Sequence, residues 1–411
     1  MAELPIEFTE STRQLMGDER FERYLQSFGE DSPVSIRLNP LKTDSGHWQL
    51  AVSHESVPWC RNGYYLKQRP NFTFDPLFHA GCYYVQEAAS MFLDEALRQH
   101  LTSHLSPLTS LDLCAAPGGK STLLRAALPE SCMLCSNEPI RLRASILLEN
   151  VEKWGYENHI VTCAYPRDFR KAKMKFDLIL CDVPCSGEGM FRKVPATIRE
   201  WSPQQVEKCW QLQRDIVSDA WACLNPGGLF IYSTCTFNTK ENEENVRWML
   251  SQFGDASVLP VETHPEWHIT GSLLDGFTEP VYRFIPGITR SEGLFICVLR
   301  KANHGDCPRC EKRSGLQGDC PRDLHPLKTE TIEGNLPQTD LSYSEAMKFL
   351  RGEALVLPAD SPRGIVEVCF MGHSLGQVKN IGNRANNLYP KPWRIKTTHI
   401  PNDYEAILRH T

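Results

Sequence analysis

Between Ser110 and about Arg300, short apolar runs alternate with longer amphipathic ones. That alternation restricts the middle of the chain to a parallel sheet covered on both faces by helices. Strands are expected at Ser110–Ala115, Cys132–Ser136, His159–Cys163, Phe176–Cys181, Leu229–Ser233 and Leu294–Leu299. Their unbroken hydrophobicity is what burial on both faces requires. The helix before Leu229 has legible borders. Ser202-Pro203-Gln204-Gln205 offers an N-cap, a proline in the first turn and a capping-box glutamine, and Asn225-Pro226-Gly227-Gly228 ends it. Asn238 with Glu241 predicts a further, acidic helix start.

The flanks differ in character. Residues 1–100 read as a mixed segment. A polar helix runs from Phe8 to Phe28, a strand lies between Pro33 and Pro40, and Gly81–Ala88 leads into an apolar helix reaching Leu97. Residues 301–340 are poor in apolar side chains and predict a linker. Residues 341–411 form a compact tail, with a helix near Ser344–Leu350 and a strand at Gly364–Met371. A chain of 411 residues has room for two or three such units, with the central one at 101–300.

Bulk properties narrow the classes. The N-terminus lacks a basic-then-apolar leader pattern, and no apolar run approaches a membrane span, so a cytoplasmic location without membrane contact is the expectation. A monomer is expected as well. Sixteen scattered cysteines fit reduced thiols better than a disulfide framework. A net charge of −6 argues against a protein that merely coats nucleic acid, but residues 363–411 carry seven Lys/Arg against three Asp/Glu.

Leu111-Asp112-Leu113-Cys114-Ala115-Ala116-Pro117-Gly118-Gly119-Lys120-Ser121 reads as a strand, a glycine turn and a helix start. Small residues let a ligand approach the backbone, and the helix offers free N–H groups. A triphosphate-binding loop would need glycine where Cys114 stands. Glu138 follows the glycines by about twenty residues, the spacing of an acid that holds ribose hydroxyls. An ordinary turn beside a surface acid would show the same residues.

Cys185 and Cys235 lie fifty residues apart, each closing an apolar run: Asp182-Val183-Pro184-Cys185 and Ser233-Thr234-Cys235-Thr236. Both thiols are therefore expected at the carboxyl edge of one sheet, where open α/β folds bind ligands. A thiolate there is a nucleophile and a second thiol can serve proton transfer or release; buried structural thiols or a disulfide are the alternatives. His304, Cys307, Cys310 and Cys320 have a spacing compatible with a zinc knuckle and equally with chance in a linker, and no metal is assigned. Asn380–Arg394 interleaves basic, amide and aromatic residues, as an RNA-binding surface or a loop-rich domain surface would.

Taken together, Cys114–Lys120, Asp182–Gly189 and Ser233–Val246 resemble the Sun-type RNA cytosine-5 methyltransferases, most closely their RsmF-type bacterial ribosomal RNA branch. Tyr83–Ala88 and Asn383–Pro390 resemble the same branch. The resemblance implies an α/β fold: a class I, Rossmann-like methyltransferase domain binding S-adenosylmethionine. An N-terminal RNA-recognition segment would precede it and a small PUA-like RNA-binding domain would follow. Cys114, Ala115, Ala116, Pro117, Gly118, Gly119, Lys120, Glu138 and Asp182 are then the cofactor-binding candidates. In the family the cysteine at the position of Cys235 attacks carbon-6 of cytosine, and that of Cys185 assists elimination. The acid at the position of Asp182 interacts with the base in that family while lying near the cofactor, and Lys120, at the cofactor loop and on the same edge, is expected to add positive charge near the base. One departure stands out: where the family usually carries an acid near the adenine, this chain has Tyr165, with Asp168 close by.

The expected activity is RNA cytosine-5 methylation, with ribosomal RNA as partner. A non-catalytic RNA-binding or ribosome-assembly factor, or a methyltransferase for transfer RNA or protein, is the alternative. An Asn-Pro-Pro-Tyr run, the mark of amine methylation, is absent after the fourth central strand, where Asp-Val-Pro-Cys stands.

Overall fold

The computed structural model describes residues 4–43, 46–101, 108–303, 326–327, 334, 336–397, 399, 401 and 404–410. At its centre is an eight-stranded sheet. In spatial order it runs Ala256–Leu259, Leu294–Lys301, Leu224–Thr234, Phe176–Asp182, Thr109–Asp112, Met133–Asn137 and His159–Thr162, with Tyr282–Phe284 paired to Leu294–Lys301 off that path. The five strands from Leu224–Thr234 to His159–Thr162 are parallel, and those at the other edge are antiparallel. Chain order reverses around Thr109–Asp112, whose neighbours are Phe176–Asp182 and Met133–Asn137, which makes its carboxyl end the place for a ligand.

Alternate residues of these strands build two cores. Leu178, Leu180, Leu229 and Ile231 face Phe92, Leu123 and Phe284 on one side. Ile179, Cys181, Phe230 and Tyr232 face Ile216, Val217 and Trp221 on the other. Side chains of a strand alternate between faces, so a strand apolar at every position has to be covered twice. Each large apolar side chain so buried contributes about 1.5–3 kcal/mol.

The N-terminal segment is an antiparallel sheet ordered His54–Ser56, Gly63–Leu66, Val34–Leu38, Tyr83–Val85. It is fastened to the central domain by polar contacts. Asn39 donates to the carbonyl of Trp154 (2.8 Å) and Lys42 to that of Lys153 (2.6 Å), at the end of the helix Arg141–Trp154. A Cβ at Gly81 would come within 1.9 Å of the Lys153 carbonyl oxygen, and its φ of +70° also requires glycine. Arg37, buried, donates to Gln86 (2.8 Å) and to Thr122 (2.7 Å), and lies over the Trp154 ring.

The C-terminal residues form a second small sheet, with Gln338–Asp340 parallel to Gly364–Phe370, followed by His373–Asn380 and Ala385–Asn387. Its core is continuous with that of the N-terminal sheet: Ile36, Leu66 and Tyr83 pack with Phe349, Val366 and Leu408 in one cluster. The last strand, Leu408–His410, pairs with Trp48–Leu50.

Local expectations changed in four places. The helix expected over Phe8–Phe28 is two, Ile6–Met16 and Asp18–Gln26, separated by Gly17 at φ +75°. Ser202 caps the helix Pro203–Cys223 by accepting the Gln205 N–H (3.1 Å), but the Gln205 amide turns to Cys209 rather than back to the cap. Asn238 accepts the Glu241 N–H (2.9 Å) in a cap-like turn, yet the helix begins only at Glu243. Gln338–Asp340, within the expected linker, is a strand.

Candidate active site

Asp182 and Ser233 are register partners at the carboxyl ends of adjacent parallel strands. The chains that leave those strands carry the two cysteines, and their Sγ atoms lie 3.3 Å apart. All described cysteines are free thiols, and these two are half-buried. The contact with Cys235, followed by burial and the nearby Glu241, pushes the Cys185 thiol well above its ordinary pKa. Cys185 is thus held toward its protonated form, one sulfur–sulfur contact away from Cys235.

Lys120, in the first turn of the helix Gly119–Ala127, reaches the same edge. Its Nζ is 2.8 Å from Asp182 Oδ2, and Ser233 Oγ donates to Asp182 Oδ1 at 2.6 Å. Burial acts to lower the Lys120 pKa, but Asp182 and the adjoining Cys235 hold it above the ordinary value. The ammonium therefore stays charged. Lys120 and Asp182 keep 17% and 30% of their side-chain surface, enough to be reached by a substrate.

The loop before Lys120 has the shape of a cofactor cradle. Gly118 sits at φ +115°, and a Cβ there would meet Leu147 at 3.2 Å. Among the described residues, Asp112 Oδ1 is buried with no hydrogen-bond partner, while Oδ2 accepts from Ser121 at 2.5 Å. Burial pushes this carboxyl up to about 7, with the Ser121 hydroxyl acting against it. Glu138, at the end of the neighbouring strand, accepts the Ile140 N–H (3.0 Å) and faces Arg143 (3.2 Å). A glycine cradle, an acceptor without a donor and a second strand-end acid fit S-adenosylmethionine, with its ammonium and ribose hydroxyls.

Tyr165 is exposed, with the Arg167 guanidinium 5.1 Å from its ring centre, and Asp168 accepts the Tyr165 N–H at 3.0 Å. In the tail, Tyr389 is buried against Phe349, and Asn387 holds the carbonyls of Phe349 and Glu353; neither is free to meet a base. Asn383, Arg384 and Lys391 are exposed. His304, Cys307, Cys310 and Cys320 lie outside the described residues. Among the described ones no group of three His, Cys, Asp or Glu could hold a metal, and no helix is long and apolar enough to cross a membrane.

Sequence reasoning missed a layer beneath the thiols. Glu188, Gln213, Asn238 and Glu241 are buried or half-buried and hydrogen-bonded to one another and to the two cysteine-bearing loops. Glu188, Asn238 and Glu241 lie within the family-like segments, but nothing in either segment alone says that they meet across the loops.

Residues 96–300 match the family described as 16S rRNA methyltransferase RsmB/F. Residues 4–88 match the N-terminal domain of 16S rRNA methyltransferase RsmF, and 337–395 the methyltransferase RsmF PUA domain. The chain belongs to this family. Ribosomal RNA small subunit methyltransferase F of Pectobacterium carotovorum is 36% identical over 79% of this chain and 69% of its own length. The Pectobacterium atrosepticum protein is 35% identical over 73% of this chain, which spans 63% of that relative. The Erwinia tasmaniensis protein matches over 94% of this chain and 96% of its own length at 28% identity. Among solved structures, a methyltransferase homolog from Pyrococcus horikoshii aligns with a TM-score of 0.60 at 27% identity, covering 72% of this chain and 94% of that one. NSun6 from the same organism, solved with SFG, shares the fold at a TM-score of 0.59 and 20% identity, over 73% and 98% of the two chains.

Proposed function

We propose that this chain transfers a methyl group from S-adenosylmethionine to carbon-5 of a cytosine in small-subunit ribosomal RNA, with Cys235 as nucleophile and Cys185 as the releasing thiol. The observation that carries this reading is the 3.3 Å approach of the two Sγ atoms beside the Lys120–Asp182 pair, at the mouth of a glycine cradle. Membership of an rRNA methyltransferase family and the names of the relatives support the substrate.

Carbon-5 of cytosine is a weak nucleophile until a thiolate adds at carbon-6. The Cys235 sulfur forms that C–S bond, and the electron pair of the 5,6 double bond shifts toward carbon-5. Asp182, oriented by Ser233 and Lys120, hydrogen-bonds the ring-nitrogen edge, and the Lys120 charge stabilises the electron-rich ring. The cofactor supplies an electrophilic methyl group on a sulfonium. Afterwards the carbon-5 proton is lost to solvent, the double bond re-forms and the C–S bond breaks. Cys185 donates its S–H to the departing Cys235 sulfur. The target base has to leave its stack to reach this edge.

The test uses labelled cofactor, ribosomal RNA and single-cysteine variants. Cys235→Ala should abolish methyl transfer, while Cys185→Ala should accumulate a covalent protein–RNA adduct. A fully active Cys235→Ala protein would sink the mechanism.

A further inference from the structure

The loops that carry the cysteines are tied to each other crosswise. Glu188 lies three residues after Cys185, yet its carboxylate serves the other loop: Oε2 accepts the backbone N–H groups of Phe237 (2.8 Å) and Asn238 (2.9 Å), just past Cys235. Glu241 lies six residues after Cys235, and its Oε2 accepts the backbone N–H of Ser186 (3.0 Å), the residue after Cys185. One side chain joins the two carboxylates. Asn238 Nδ2 donates to Glu188 Oε1 at 3.0 Å and to Glu241 Oε1 at 2.8 Å.

Further ties run the same way. Ser186 Oγ and Thr236 Oγ1, each one residue past a cysteine, are 2.8 Å apart. Gln213, from the helix Pro203–Cys223, donates to Glu241 Oε2 (2.6 Å) and to the carbonyl of Pro184 (2.9 Å), just before Cys185. Trp201 Nε1 donates to Glu188 Oε1 at 3.0 Å.

Both carboxylates are buried, at 2% and 0% exposure, and every hydrogen-bond partner named is a neutral N–H group. Burying a carboxylate is expensive unless its lone pairs are filled. Here the donor count explains the choice of residue. Glu188 receives two donors at each oxygen, a pattern that a glutamine, acceptor at one end and donor at the other, cannot accept. The donors come from the residues just past the two thiols, with Trp201 and Gln213 added from outside the loops.

We propose that Glu188 and Glu241 are positioning residues, a reciprocal clamp that fixes the two cysteine loops in one register and so sets the approach of Cys185 to Cys235. The proposal rests on the two-thiol reading above for its catalytic meaning but not for its first test. Treated with diamide, the wild-type protein should oxidise Cys185 and Cys235 to a disulfide as diamide is reduced to its hydrazine. The Sγ atoms need only close from 3.3 Å to about 2.05 Å. Glu188→Gln and Glu241→Gln should form that disulfide several-fold more slowly at equal folded fraction, read by peptide mass.

In a single turnover on RNA the same variants, with both cysteines intact, should hold a covalent adduct several-fold longer than wild type. A merely structural loss would lower the amount of active protein without prolonging the adduct. Should a carboxylate variant fail to fold, Asn238→Ala removes the joining donor and carries the same expectations. Wild-type disulfide rates in the folded variants overturn the clamp. A wild-type protein that neither links to RNA nor methylates it overturns the functional reading instead, while the disulfide comparison still decides the clamp.

Discussion

Lys120 Nζ lies 2.8 Å from Asp182 Oδ2, although Lys120 opens the helix after the glycine cradle and Asp182 ends a neighbouring strand. The pair joins the glycine loop to the carboxyl ends of the central strands by charge. Lys120→Met should leave the fold intact and lower single-turnover methyl transfer about 10²–10³-fold, the usual cost of one preorganised donor. Cofactor affinity, measured separately by calorimetry, tells a binding loss from a chemical one. An unchanged rate would remove Lys120 from the chemistry.

The two thiols should differ in reactivity. The Cys185 pKa is raised by its contact with Cys235 and by burial, so less of it is thiolate near neutral pH. Iodoacetamide at pH 7.5 should therefore modify Cys235 before Cys185, as read by peptide mapping over time. The reverse order would assign the nucleophile wrongly.

Gly189 touches the site through its backbone. A Cβ there would fall 2.7 Å from Gly293 Cα and 2.9 Å from the carbonyl oxygen of Cys235, and neither can move as a flexible side chain would. Gly189→Ala should thus displace the Cys235 loop, lowering methyl transfer by more than tenfold with about 1–3 kcal/mol of destabilisation. Urea unfolding and the methylation assay read the two effects.

His159, buried and bonded to Ser136 at 2.8 Å, is pushed down to about 3 by burial, with Arg125 adding to the shift. Its folded pKa lies below the unfolded value, so the unfolded chain binds the extra proton and stability falls as pH drops below about 6.5. The slope from one such group is about 1.4 kcal/mol per pH unit. His79, also driven to about 3, acts in the same direction, whereas Asp75 and Asp112, pushed up to about 6 and about 7, act oppositely. The difference between wild type and His159→Gln therefore isolates the term. Parallel urea curves for the two proteins from pH 7 to 4.5 would contradict it.

The central strands, the glycine cradle and both cysteines were legible because each is a local pattern: an apolar run ending in a small set of special residues. The crosswise carboxylates were not. Glu188 meets Phe237 across 49 residues and Glu241 meets Ser186 across 55, and only the sheet brings them together. Around Asn238 the local hydrogen bond was legible and the helix start was not. The Asn242 side chain instead holds the Thr234 hydroxyl and the Thr236 carbonyl, which delays the helix to Glu243. Tyr389 misled for a related reason: an aromatic among amides looks available, but packing against Phe349 buries it.

The helix Arg141–Trp154 starts beside the cofactor edge and ends under the N-terminal segment. The final carbonyls of a helix have no partners within it. Here Lys153 and Trp154 receive theirs from Lys42 and Asn39, and Gly81 is packed too closely for any side chain. A chain shortened to the region matched at 96–300 would leave those carbonyls bare and, by losing Trp59, Met91 and Phe92, uncover the apolar face that includes Leu123. The three matched regions are thus one mechanical part: the N-terminal segment is the stopper of a helix whose other end opens beside the strand-end acid Glu138.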